Sequence, residues 1–251
     1  MTNTPDHSTD ISTNEKTALV TGANKGIGYE IATGLARLGF RVGIGARDER
    51  RRADAVDKLR AEGLDVFGVP LDVTDDASVA AAAAQLEEQG GLDVLVNNAA
   101  ITGGMPQEPS QVTAEQVLEV VDTNVVGVIR VTNAMLPMLR RASSPRVVNV
   151  SSTVGSLTLQ TAQAEAVGPI SAAYSPTKTY LNAITIMYAK ELAGTGILVN
   201  AGCPGYVATD LNGHQGYRTP EQGAAIFLEL ATLPDDGPSG TFRDETGIQP
   251  W

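Results

Sequence analysis

The sequence predicts an α/β protein built on one doubly wound parallel sheet of about seven strands, with helices on both faces. Short apolar segments alternate along the chain with longer segments of helical periodicity, which is the pattern of βαβ units. A glycine-rich turn joins the first apolar segment to the first helical one. The 251 residues show no internal repeat or linker, and their number suits one large domain. We therefore predict a disordered polar leader over residues 1–15 and a single domain over residues 16–251.

The composition argues against several classes of function. The formal net charge is −11, which disfavours nucleic acid or an anionic membrane as the main partner. Cys203 is the only cysteine, so no internal disulfide can form, and we expect a cytoplasmic protein. No segment approaches the roughly 20 apolar residues of a membrane span. His7 and His214 lack metal-ligand spacing, so no metal site is predicted.

The glycine-rich turn occupies residues 22–28 and reads Gly-Ala-Asn-Lys-Gly-Ile-Gly. It follows a predicted strand at 17–21 and precedes a helical pattern through Ile31, Leu35 and Leu38. Glycines let the backbone approach a pyrophosphate, and a helix N-terminus favours negative charge. The alternative is a flexible turn, which three glycines between a strand and a helix make less favoured. The turn therefore predicts a dinucleotide site.

The end of the second predicted strand, 41–46, bears on the choice of dinucleotide. Arg47 follows this strand, and a basic residue there accommodates a ribose 2′-phosphate, whereas an acid binds the free hydroxyl. Asp48, an acid, comes next. Lys25 in the glycine turn is a second candidate cation for the phosphate. Each of these cations could instead be a solvated surface charge, and we assign residues 50–52, Arg-Arg-Arg, to that class.

Polar residues also follow the later predicted strands at 65–71, 92–96, 146–150 and 197–201. Because ligands bind at the carboxyl ends of parallel strands, we expect these residues to meet at one edge of the sheet. Helices are predicted near 75–86, 113–141, 174–193 and 220–232, with a short closing strand near 239–243. The polar residues are Asp72, Asn97, Asn98 and Ser152, and the turn residues Pro204 and Gly205 follow the 197–201 strand.

Tyr174 and Lys178 are four residues apart, so on a helix they lie on one face. A nearby ammonium is expected to lower the pKa of a phenol, which would make Tyr174 a proton donor or acceptor at a carbonyl or alcohol oxygen. Pro176 places Tyr174 at the start of that helix. The alternative is an ordinary amphipathic helix with a surface Tyr and Lys. Asn124, in the middle of the 113–141 pattern, would ordinarily face solvent.

Taken together, these motifs resemble the short-chain dehydrogenase/reductase family over nearly the whole chain. The resemblance rests on the Thr-Gly-x-x-x-Gly-x-Gly turn at 21–28 and on Asn-Asn-Ala-Ala at 97–100, where the family usually ends in glycine. It also rests on Pro204-Gly205 followed by Thr209, and on four residues that match the catalytic tetrad in order and type. The tetrad residues are Asn124, Ser152, Tyr174 and Lys178.

The resemblance implies a Rossmann-type fold and NADPH-dependent carbonyl reduction. Within the family, the chain looks closest to carbonyl reductases, through residues 22–28, 46–48 and 203–206 and the terminal Trp251. It implies that Tyr174 donates the proton, Lys178 holds the nicotinamide ribose, Ser152 binds the substrate oxygen and Asn124 holds a water. The implied NADPH/NADP-binding residues are Gly22, Asn24, Lys25, Gly26, Ile27, Gly28, Arg47, Asp72, Val73, Asn98, Ala99, Tyr174, Lys178, Pro204, Gly205, Val207 and Thr209.

Ser152 and Tyr174 are 22 positions apart, which is longer than usual in the family. Carbonyl reductases carry an insertion there that covers an association surface, so a monomer is favoured over a homo-oligomer. The substrate pocket is expected from residues 153–173, including apolar Ala162, Ala164, Ala166, Val167 and Ile170, together with Tyr206 and the 210–219 loop. Cys203 is interpreted as a small buried residue.

Two other functions stay open from the sequence. One is a dinucleotide-binding regulator without turnover, which the complete tetrad disfavours. The other is an alcohol dehydrogenase that works in the oxidative direction with NAD, which residues 46–47, Ala-Arg, disfavour. The substrate of the predicted reductase would be a small ketone or aldehyde.

Overall fold

A computed structural model describes residues 16–162 and 168–251. The predicted leader 1–15 lies outside these residues, as do Ala164, Ala166 and Val167. One sheet contains eight strands in the order β3-β2-β1-β4-β5-β6-β7-β8. Their bounds are β1 Thr17–Thr21, β2 Arg41–Ala46, β3 Val66–Pro70, β4 Val94–Asn97, β5 Arg146–Val150, β6 Leu198–Gly202, β7 Phe242–Asp244 and β8 Gly247–Ile248.

The predicted doubly wound parallel sheet is confirmed. Strands β1 to β7 pair in parallel, and β8 pairs antiparallel with β7 at one edge. This eighth strand was not predicted, because a two-residue strand shows no alternation in sequence. The chain reverses its direction of winding between β1 and β4, which are neighbours in the sheet. A crevice for a ligand is expected at that switch point.

Eight α-helices are found in the described part of the chain, and they cover both faces of the sheet. They are α1 Gly26–Arg37, α2 Glu49–Ala61, α3 Asp76–Glu88, α4 Ala114–Val121, α5 Gly127–Leu139, α6 Leu157–Ala162, α7 Ser175–Glu191 and α8 Pro220–Ala231. The predicted helix over 113–141 is divided, because a π-helical turn at Asp122–Val126 lies between α4 and α5. Helix α6 was not predicted.

Two hydrophobic clusters lie on opposite faces of the sheet, and strand β1 shows how the sequence separates them. Ala18 and Val20 point to the cluster that packs under α1, α2 and α8, whereas Leu19 points to the cluster under α3, α5 and α7. All three side chains are fully buried. Both faces of a parallel strand are covered, which is why its sequence is a continuous apolar run. No helix among the described residues is long and apolar enough to cross a membrane.

Candidate active site

The glycine turn forms a tight cradle at the carboxyl end of β1. Gly22 and Gly26 have φ values of +65° and +59°, which a side chain would strain. A Cβ atom on Gly28 would collide with the Asn98 amide group, so only glycine allows the helix to start this close to β4. Ile27 packs against the cluster under α1. The shape suits a close approach of the backbone to a pyrophosphate, as predicted from the motif.

The start of α1 is also suited to an anion. Its N-cap residue, Lys25, makes no side-chain capping hydrogen bond, whereas Asp48, Asp75, Thr113 and Thr219 cap α2, α3, α4 and α8. The first amide groups of a helix need acceptors, and a side-chain cap normally supplies one. The first turn of α1 thus has N–H groups to offer to a phosphate, and the residues present fit a dinucleotide.

Asn98 connects the glycine turn to the end of β4. Its side-chain amide donates to the carbonyl oxygens of Thr21 and Gly22, at 2.8 and 3.2 Å. The Thr21 hydroxyl in turn accepts from the backbone amides of Asn98 and Ala99, at 2.9 and 3.0 Å. The four hydrogen bonds hold the two predicted dinucleotide segments in one rigid unit, so Asn98 shapes the cradle through its side chain.

Asn97 has a different environment, although it is next to Asn98 in sequence. It is buried, and its amide donates to the Asn149 carbonyl oxygen at 2.9 Å and to the Thr132 hydroxyl at 3.1 Å. Asn149 continues the network by donating to Thr185 at 2.9 Å. This network satisfies polar groups between the sheet, α5 and α7, and Asn97 therefore supports the structure beneath the site.

The polar residues after β2 and β3 lie close together. The Arg47 guanidinium is exposed at the end of β2, and it contributes to lowering the pKa of Asp72, although the larger cause is a hydrogen bond from Thr74. Asp72 Oδ1 accepts from the Thr74 hydroxyl at 2.7 Å. Val73 is buried and packs against Gly127. Arg47 and Asp72 thus form one polar corner beside the glycine turn.

Arg52 is a correction to the sequence analysis, which placed all of residues 50–52 on a solvated helix face. Its guanidinium donates to the Ala46 carbonyl oxygen at 2.7 Å, and its aliphatic part packs over Gly68. Arg52 therefore closes the carboxyl end of β2 rather than facing solvent. Arg50 and Arg51 are exposed, as predicted.

Tyr174 and Lys178 meet at the start of α7, where Tyr174 is the N-cap residue, as predicted. The Lys178 ammonium lies 5.4 Å from the centre of the Tyr174 ring. It donates a hydrogen bond to the Val150 carbonyl oxygen at 2.8 Å, and Lys178 is only 3% exposed. This hydrogen bond anchors the lysine to the end of β5 and fixes the face that Tyr174 shares with it.

The pKa shifts of this pair follow from burial. Burial raises the pKa of the Tyr174 phenol above its usual value, with a smaller contribution from Cys203, and it lowers the pKa of Lys178 to about 8. The predicted lowering of the Tyr174 pKa by Lys178 is therefore not found for the protein on its own, where the shift is upward and loss of hydration is its largest cause. A phenol with a raised pKa stays protonated at neutral pH, which is the form that can donate a proton.

Ser152 lies near the start of α7 because the turn that it begins packs closely on that helix. It begins a single 3₁₀ turn, Thr153–Gly155, that lies against α7. A Cβ atom on Gly155 would lie 2.6 Å from the Lys178 carbonyl carbon, so the absence of a side chain lets this turn touch the helix backbone. Among residues 16–162 and 168–251, Ser152 Oγ accepts one long hydrogen bond, from the Val154 amide at 3.4 Å, and donates none. Its hydroxyl is thus positioned beside the Tyr174 helix.

Asn124 is 1% exposed and does not face solvent. It lies in the π-helical turn, a feature frequent at functional sites. Its side chain pairs with the backbone of Ile101 through two hydrogen bonds of 2.9 Å, and its amide also donates to the Thr177 hydroxyl at 3.1 Å. Thr177 donates to the Tyr174 carbonyl oxygen at 2.6 Å. Asn124 is therefore joined to the start of α7, beside Tyr174 and Lys178.

Thr177 and Gln107 are two supporting residues that the sequence analysis missed. Gln107 is 7% exposed, and its side-chain oxygen accepts from the Ala173 amide at 3.2 Å and from the Ser171 hydroxyl at 3.3 Å. It thereby fixes the segment that leads into Tyr174. No spacing or motif marks Gln107. Thr177 was the easier of the two to find from the sequence, because it lies inside the Tyr-x-x-x-Lys segment.

The segment after β6 lies over the glycine turn. A Cβ atom on Gly26 would contact the Thr209 methyl group at 3.6 Å, and Lys25 pairs with Asp210. Val207 is buried and bridges to Arg218, which turns the segment back on itself. Pro204 and Gly205 lie at its start, where Gly205 has a φ of +75°. Two motifs that are about 180 positions apart in sequence thus face each other.

Cys203 is 4% exposed, which confirms its interpretation as a buried residue. Its sulfur accepts from the Thr153 amide at 3.3 Å. Trp251 stacks on Phe242 at 5.7 Å between ring centres, and its backbone oxygen accepts from Thr158 at 3.3 Å. These contacts tie the 153–158 segment to β6 and to the C-terminal residues.

Exposed apolar side chains surround the segments expected to bind a substrate. Met105, Ile170 and Tyr217 are 78%, 67% and 81% exposed. Tyr206 and Tyr217 form a tilted aromatic pair with ring centres 6.2 Å apart. Single exposed apolar residues are ordinary, so the paired rings of Tyr206 and Tyr217 are the part of this set that best suits an apolar ligand.

Comparison with known proteins agrees with the fold. The family model described as short chain dehydrogenase matches residues 16–218. Carbonyl reductase [NADPH] 1 of Mus musculus is 36% identical over 282 aligned positions, which cover 96% of this chain and 100% of that protein. Short-chain dehydrogenase/reductase 1 of Saponaria officinalis is 33% identical, with 93% and 95% covered.

A solved structure of NADPH-bound carbonyl reductase from chicken fatty liver superimposes with a TM-score of 0.83 at 31% identity. The match covers 94% of this chain and 99% of that one. Salutaridine reductase from Papaver somniferum gives a TM-score of 0.81 at 32% identity, with 91% and 99% covered. A parallel sheet with a dinucleotide cradle and a Tyr-Lys pair at its carboxyl edge defines an oxidoreductase of the Rossmann type. The chain belongs to the short-chain dehydrogenase/reductase family, close to its carbonyl reductases, as the motifs predicted.

Proposed function

We propose that this protein is an NADPH-dependent carbonyl reductase that converts a small ketone or aldehyde to the alcohol. The observation that carries the proposal is the cluster at the start of α7. There, a protonated Tyr174 and the Lys178 ammonium lie beside the Ser152 turn, and Asn124 is hydrogen-bonded to the same helical turn. The uncapped start of α1 lies at the same edge of the sheet. Carbonyl reduction needs both a proton donor and a held dinucleotide at one place.

Each residue of the cluster has a distinct proposed role. Bound NADPH would supply a hydride to the carbonyl carbon. Ser152 donates a hydrogen bond to the carbonyl oxygen and stabilises the negative charge that develops there. Tyr174 transfers its phenolic proton to the same oxygen, which completes the alcohol. Lys178 has three N–H donors and gives one to Val150, so two remain for the hydroxyl groups of the nicotinamide ribose.

Asn124 is proposed to hold the water that returns a proton to Tyr174. Its side chain is occupied by Ile101 and Thr177, so the backbone of the π-helical turn is the part available to a water. In such a turn the hydrogen-bond register shifts by one residue, which releases a carbonyl group from the helical pattern.

The preference for NADPH over NADH rests on Arg47 and Lys25. Both side chains are exposed at the carboxyl edge, at the end of β2 and in the glycine turn, and a 2′-phosphate would need such cations. The carbonyl reductases similar to this chain are named for NADPH. Asp72 would bind near the adenine, where its lowered pKa keeps it ionised. The remaining residues of the predicted set line the path between these ends.

The pocket favours an uncharged, apolar carbonyl compound. The exposed apolar side chains that we expect to line it are Met105, Ile170, Tyr206 and Tyr217, and Arg218, next to Tyr217 in sequence, is already paired with Glu245. A substrate carboxylate would therefore find no free cation among the described pocket residues except Lys178. Part of the expected lining lies in residues 163–167, outside the described residues.

We also propose a cytoplasmic monomer whose catalytic domain is residues 16–251. The alignment with the mouse relative has 282 positions, so at least 31 positions of it have no counterpart in the 251 residues of this chain. If the segment between Ser152 and Tyr174 is shorter here than in carbonyl reductases, it would cover less of the association surface. A homo-oligomer is therefore the alternative, and light scattering of the purified protein distinguishes the two. Removal of residues 1–15 is expected to leave turnover unchanged.

The decisive experiment measures consumption of NADPH and, in parallel, of NADH with aldehydes, aryl ketones, ketoesters and quinones. Turnover with NADPH and a clear preference over NADH are expected. Tight NADPH binding without turnover across the panel would instead favour the non-catalytic regulator. A preference for NAD with alcohols would favour the oxidative dehydrogenase.

A further inference from the structure

An ion pair joins the two segments that enclose the proposed dinucleotide cleft. The Lys25 ammonium, in the glycine turn, lies 2.5 Å from Asp210 Oδ2, in the segment after β6. The residues are 185 positions apart in sequence. Hydrogen bonds from Lys25 and, to a lesser extent, His214 hold the pKa of Asp210 below its usual value. Asp210 is therefore the counter-ion of a residue that we assign to the cofactor phosphate.

Asp210 is held in place from the other side by its own loop. His214 Nε2 lies 2.8 Å from Asp210 Oδ1. The His214 backbone amide donates to the Thr209 carbonyl oxygen at 2.9 Å, and the Asn212 side chain donates to the Val207 carbonyl oxygen at 2.9 Å. The aspartate is thus presented to Lys25 by a folded loop and does not reach it as a lone flexible side chain.

A cleft of about 430 Å³ opens beside this ion pair, between the glycine turn and α2. Lys25, Arg51 and Lys58 contribute three cations to its lining, and Asp54 and Asp210 contribute two carboxylates. In the described part of the chain, Asp210 is the acid paired with Lys25, whereas Arg51 approaches Asp48 only at 3.9 Å. The cleft therefore offers an anion site that is partly neutralised by Asp210.

We propose that Asp210 competes with the 2′-phosphate of the cofactor for Lys25, so that Asp210 sets how strongly the protein prefers the phosphorylated dinucleotide. The inference rests on the proposed function, because it assigns Lys25 to that phosphate. Both side chains of the ion pair are about half exposed, and such pairs are weak. A phosphate group carries more charge than a carboxylate and offers more acceptor oxygens, so it wins the exchange with Lys25.

The exchange has a structural consequence for the loop at 209–218. While Lys25 is paired with Asp210, the loop is attached to the glycine turn by a charged contact. When a phosphate takes Lys25, that contact is released, and the loop is held mainly by its own hydrogen bonds. A cofactor without the 2′-phosphate leaves the contact in place. The residue thus acts on cofactor selectivity without touching the reacting atoms.

The test uses adenosine 2′,5′-bisphosphate, which carries the phosphate in question, and 5′-AMP, which lacks it. Calorimetric titration gives the dissociation constant of each ligand for the wild type and for Asp210→Asn. The asparagine keeps the shape and can still accept from His214. The variant is expected to bind the bisphosphate about two- to fivefold more tightly, which is the range of an exposed ion pair, and to bind 5′-AMP unchanged.

A second substitution shows whether the effect passes through Lys25. In a Lys25→Met background, Asp210→Asn is expected to leave the affinity for the bisphosphate unchanged. Asp54→Asn is the matched control, since Asp54 lines the same cleft and its removal changes the local charge equally. Asp54→Asn is expected to change the affinity for the bisphosphate less than Asp210→Asn does, and by the same amount with and without Lys25. Thermal unfolding of each variant verifies that the fold is retained.

Three outcomes would overturn the inference. Bisphosphate binding that is unchanged or weaker in Asp210→Asn, while the wild type still prefers it to 5′-AMP, rejects the role of Asp210 and leaves the proposed NADPH preference standing. An effect of Asp210→Asn that persists without Lys25 also rejects it. Equal affinity of the wild type for both ligands rejects the NADPH preference and the inference together.

Discussion

The two ends of the parallel strands carry buried polar groups that differ in how completely they are hydrogen-bonded. At the amino end, Arg146 is 1% exposed, and its guanidinium donates to the carbonyl oxygens of Pro145 and Leu233 and to Asp235. At the carboxyl end, Lys178 makes one side-chain hydrogen bond, and no partner for the Tyr174 hydroxyl is found among the described residues. The buried guanidinium at the amino end is thus satisfied internally, whereas the buried ammonium at the carboxyl end keeps unused donors.

This difference separates stability from function within one sheet. Groups that satisfy one another, as around Arg146, contribute to the free energy of unfolding and leave nothing for a ligand. Groups with unused donors, as around Tyr174, Lys178 and α1, contribute little to stability and are available to a substrate or cofactor. Substitutions at the carboxyl end should therefore reduce turnover at nearly constant stability. Substitutions at the amino end should reduce stability and leave turnover per folded molecule unchanged.

The largest expected effect is that of Tyr174→Phe, which removes the proposed proton donor. Turnover of a carbonyl substrate with NADPH should fall by about 10²- to 10⁴-fold, the range of general acid catalysis. The free energy of unfolding should stay within about 0.5 kcal/mol, because the lost hydroxyl has no partner in the described structure. Steady-state kinetics and urea denaturation measure the two quantities.

Tyr188→Phe is the matched control for this prediction. Tyr188 is on the helix that Tyr174 caps and is 7% exposed, but its hydroxyl donates to Asn133 at 2.8 Å. We expect normal turnover and a loss of about 0.5–1.5 kcal/mol in stability. Similar turnover in the two variants would remove Tyr174 from the mechanism.

The next largest effect is expected at the amino end of the parallel strands. Arg146→Met keeps much of the buried side-chain volume but leaves the Leu233 carbonyl oxygen without its donors. The free energy of unfolding should fall by about 2–4 kcal/mol, while turnover per folded molecule is unchanged. Arg140→Met, which removes an exposed arginine 3.9 Å from Glu191, should cost less than about 1 kcal/mol. Equal losses of unfolding free energy in the two variants would show that the buried hydrogen bonds of Arg146 contribute no more to stability than an exposed ion pair.

The same contrast explains which features the sequence could predict. The bounds of β1, β2 and β5 agree with the predictions residue for residue, because buried parallel strands are short apolar runs that end at turn residues. The four tetrad residues were predicted by type and order, and the structure brings them together at α7. That prediction came from the resemblance to the family, because periodicity alone does not mark these four residues.

Side-chain partners that are distant in sequence could not be predicted. Periodicity alone would leave Asn124 facing solvent, as a mid-helix Asn ordinarily does, and the π-helical turn that points it at Ile101 and Thr177 was not predicted. Hydrophobic periodicity does not register one extra residue in a helix. The raised pKa of Tyr174 depends on how deeply α7 packs, and that depth is set by contacts such as Gly155 against Lys178. No local pattern encodes such a contact.

Arg47→Asp tests the choice of cofactor at the carboxyl end of the strands. The ratio of kcat/KM for NADPH to that for NADH should fall roughly 10- to 100-fold, because a charge-assisted hydrogen bond to the phosphate is replaced by repulsion. Arg50→Asp makes the same change of charge three residues further along, at an exposed position of α2, and should alter the ratio only slightly. An NADPH preference that survives Arg47→Asp would show that β2 does not select the cofactor.

The smallest effect concerns the pH dependence of stability in the protein without added cofactor. Burial lowers the pKa of Lys178 to about 8, while in the unfolded chain it keeps its usual value near 10.5. Between these values the unfolded state binds more protons than the folded state, so this lysine makes the free energy of unfolding rise with pH. The slope is at most about 1.4 kcal/mol per pH unit. Above pH 10 the raised pKa of Tyr174 acts in the opposite direction, so the useful range is pH 7–10.

Lys178→Met removes this contribution and isolates it from all other titrations. At pH 7 the variant avoids burying a charge, and its stability relative to the wild type should be greatest there. The difference should then shrink as pH rises from about 8 to 10, since the wild-type lysine becomes neutral in the fold. Urea denaturation of both proteins at half-unit steps of pH measures it. A difference in unfolding free energy that stays constant from pH 8 to 10 would mean that Lys178 keeps an ordinary pKa. Burial of the Lys178 ammonium at the carboxyl end would then not destabilise the fold.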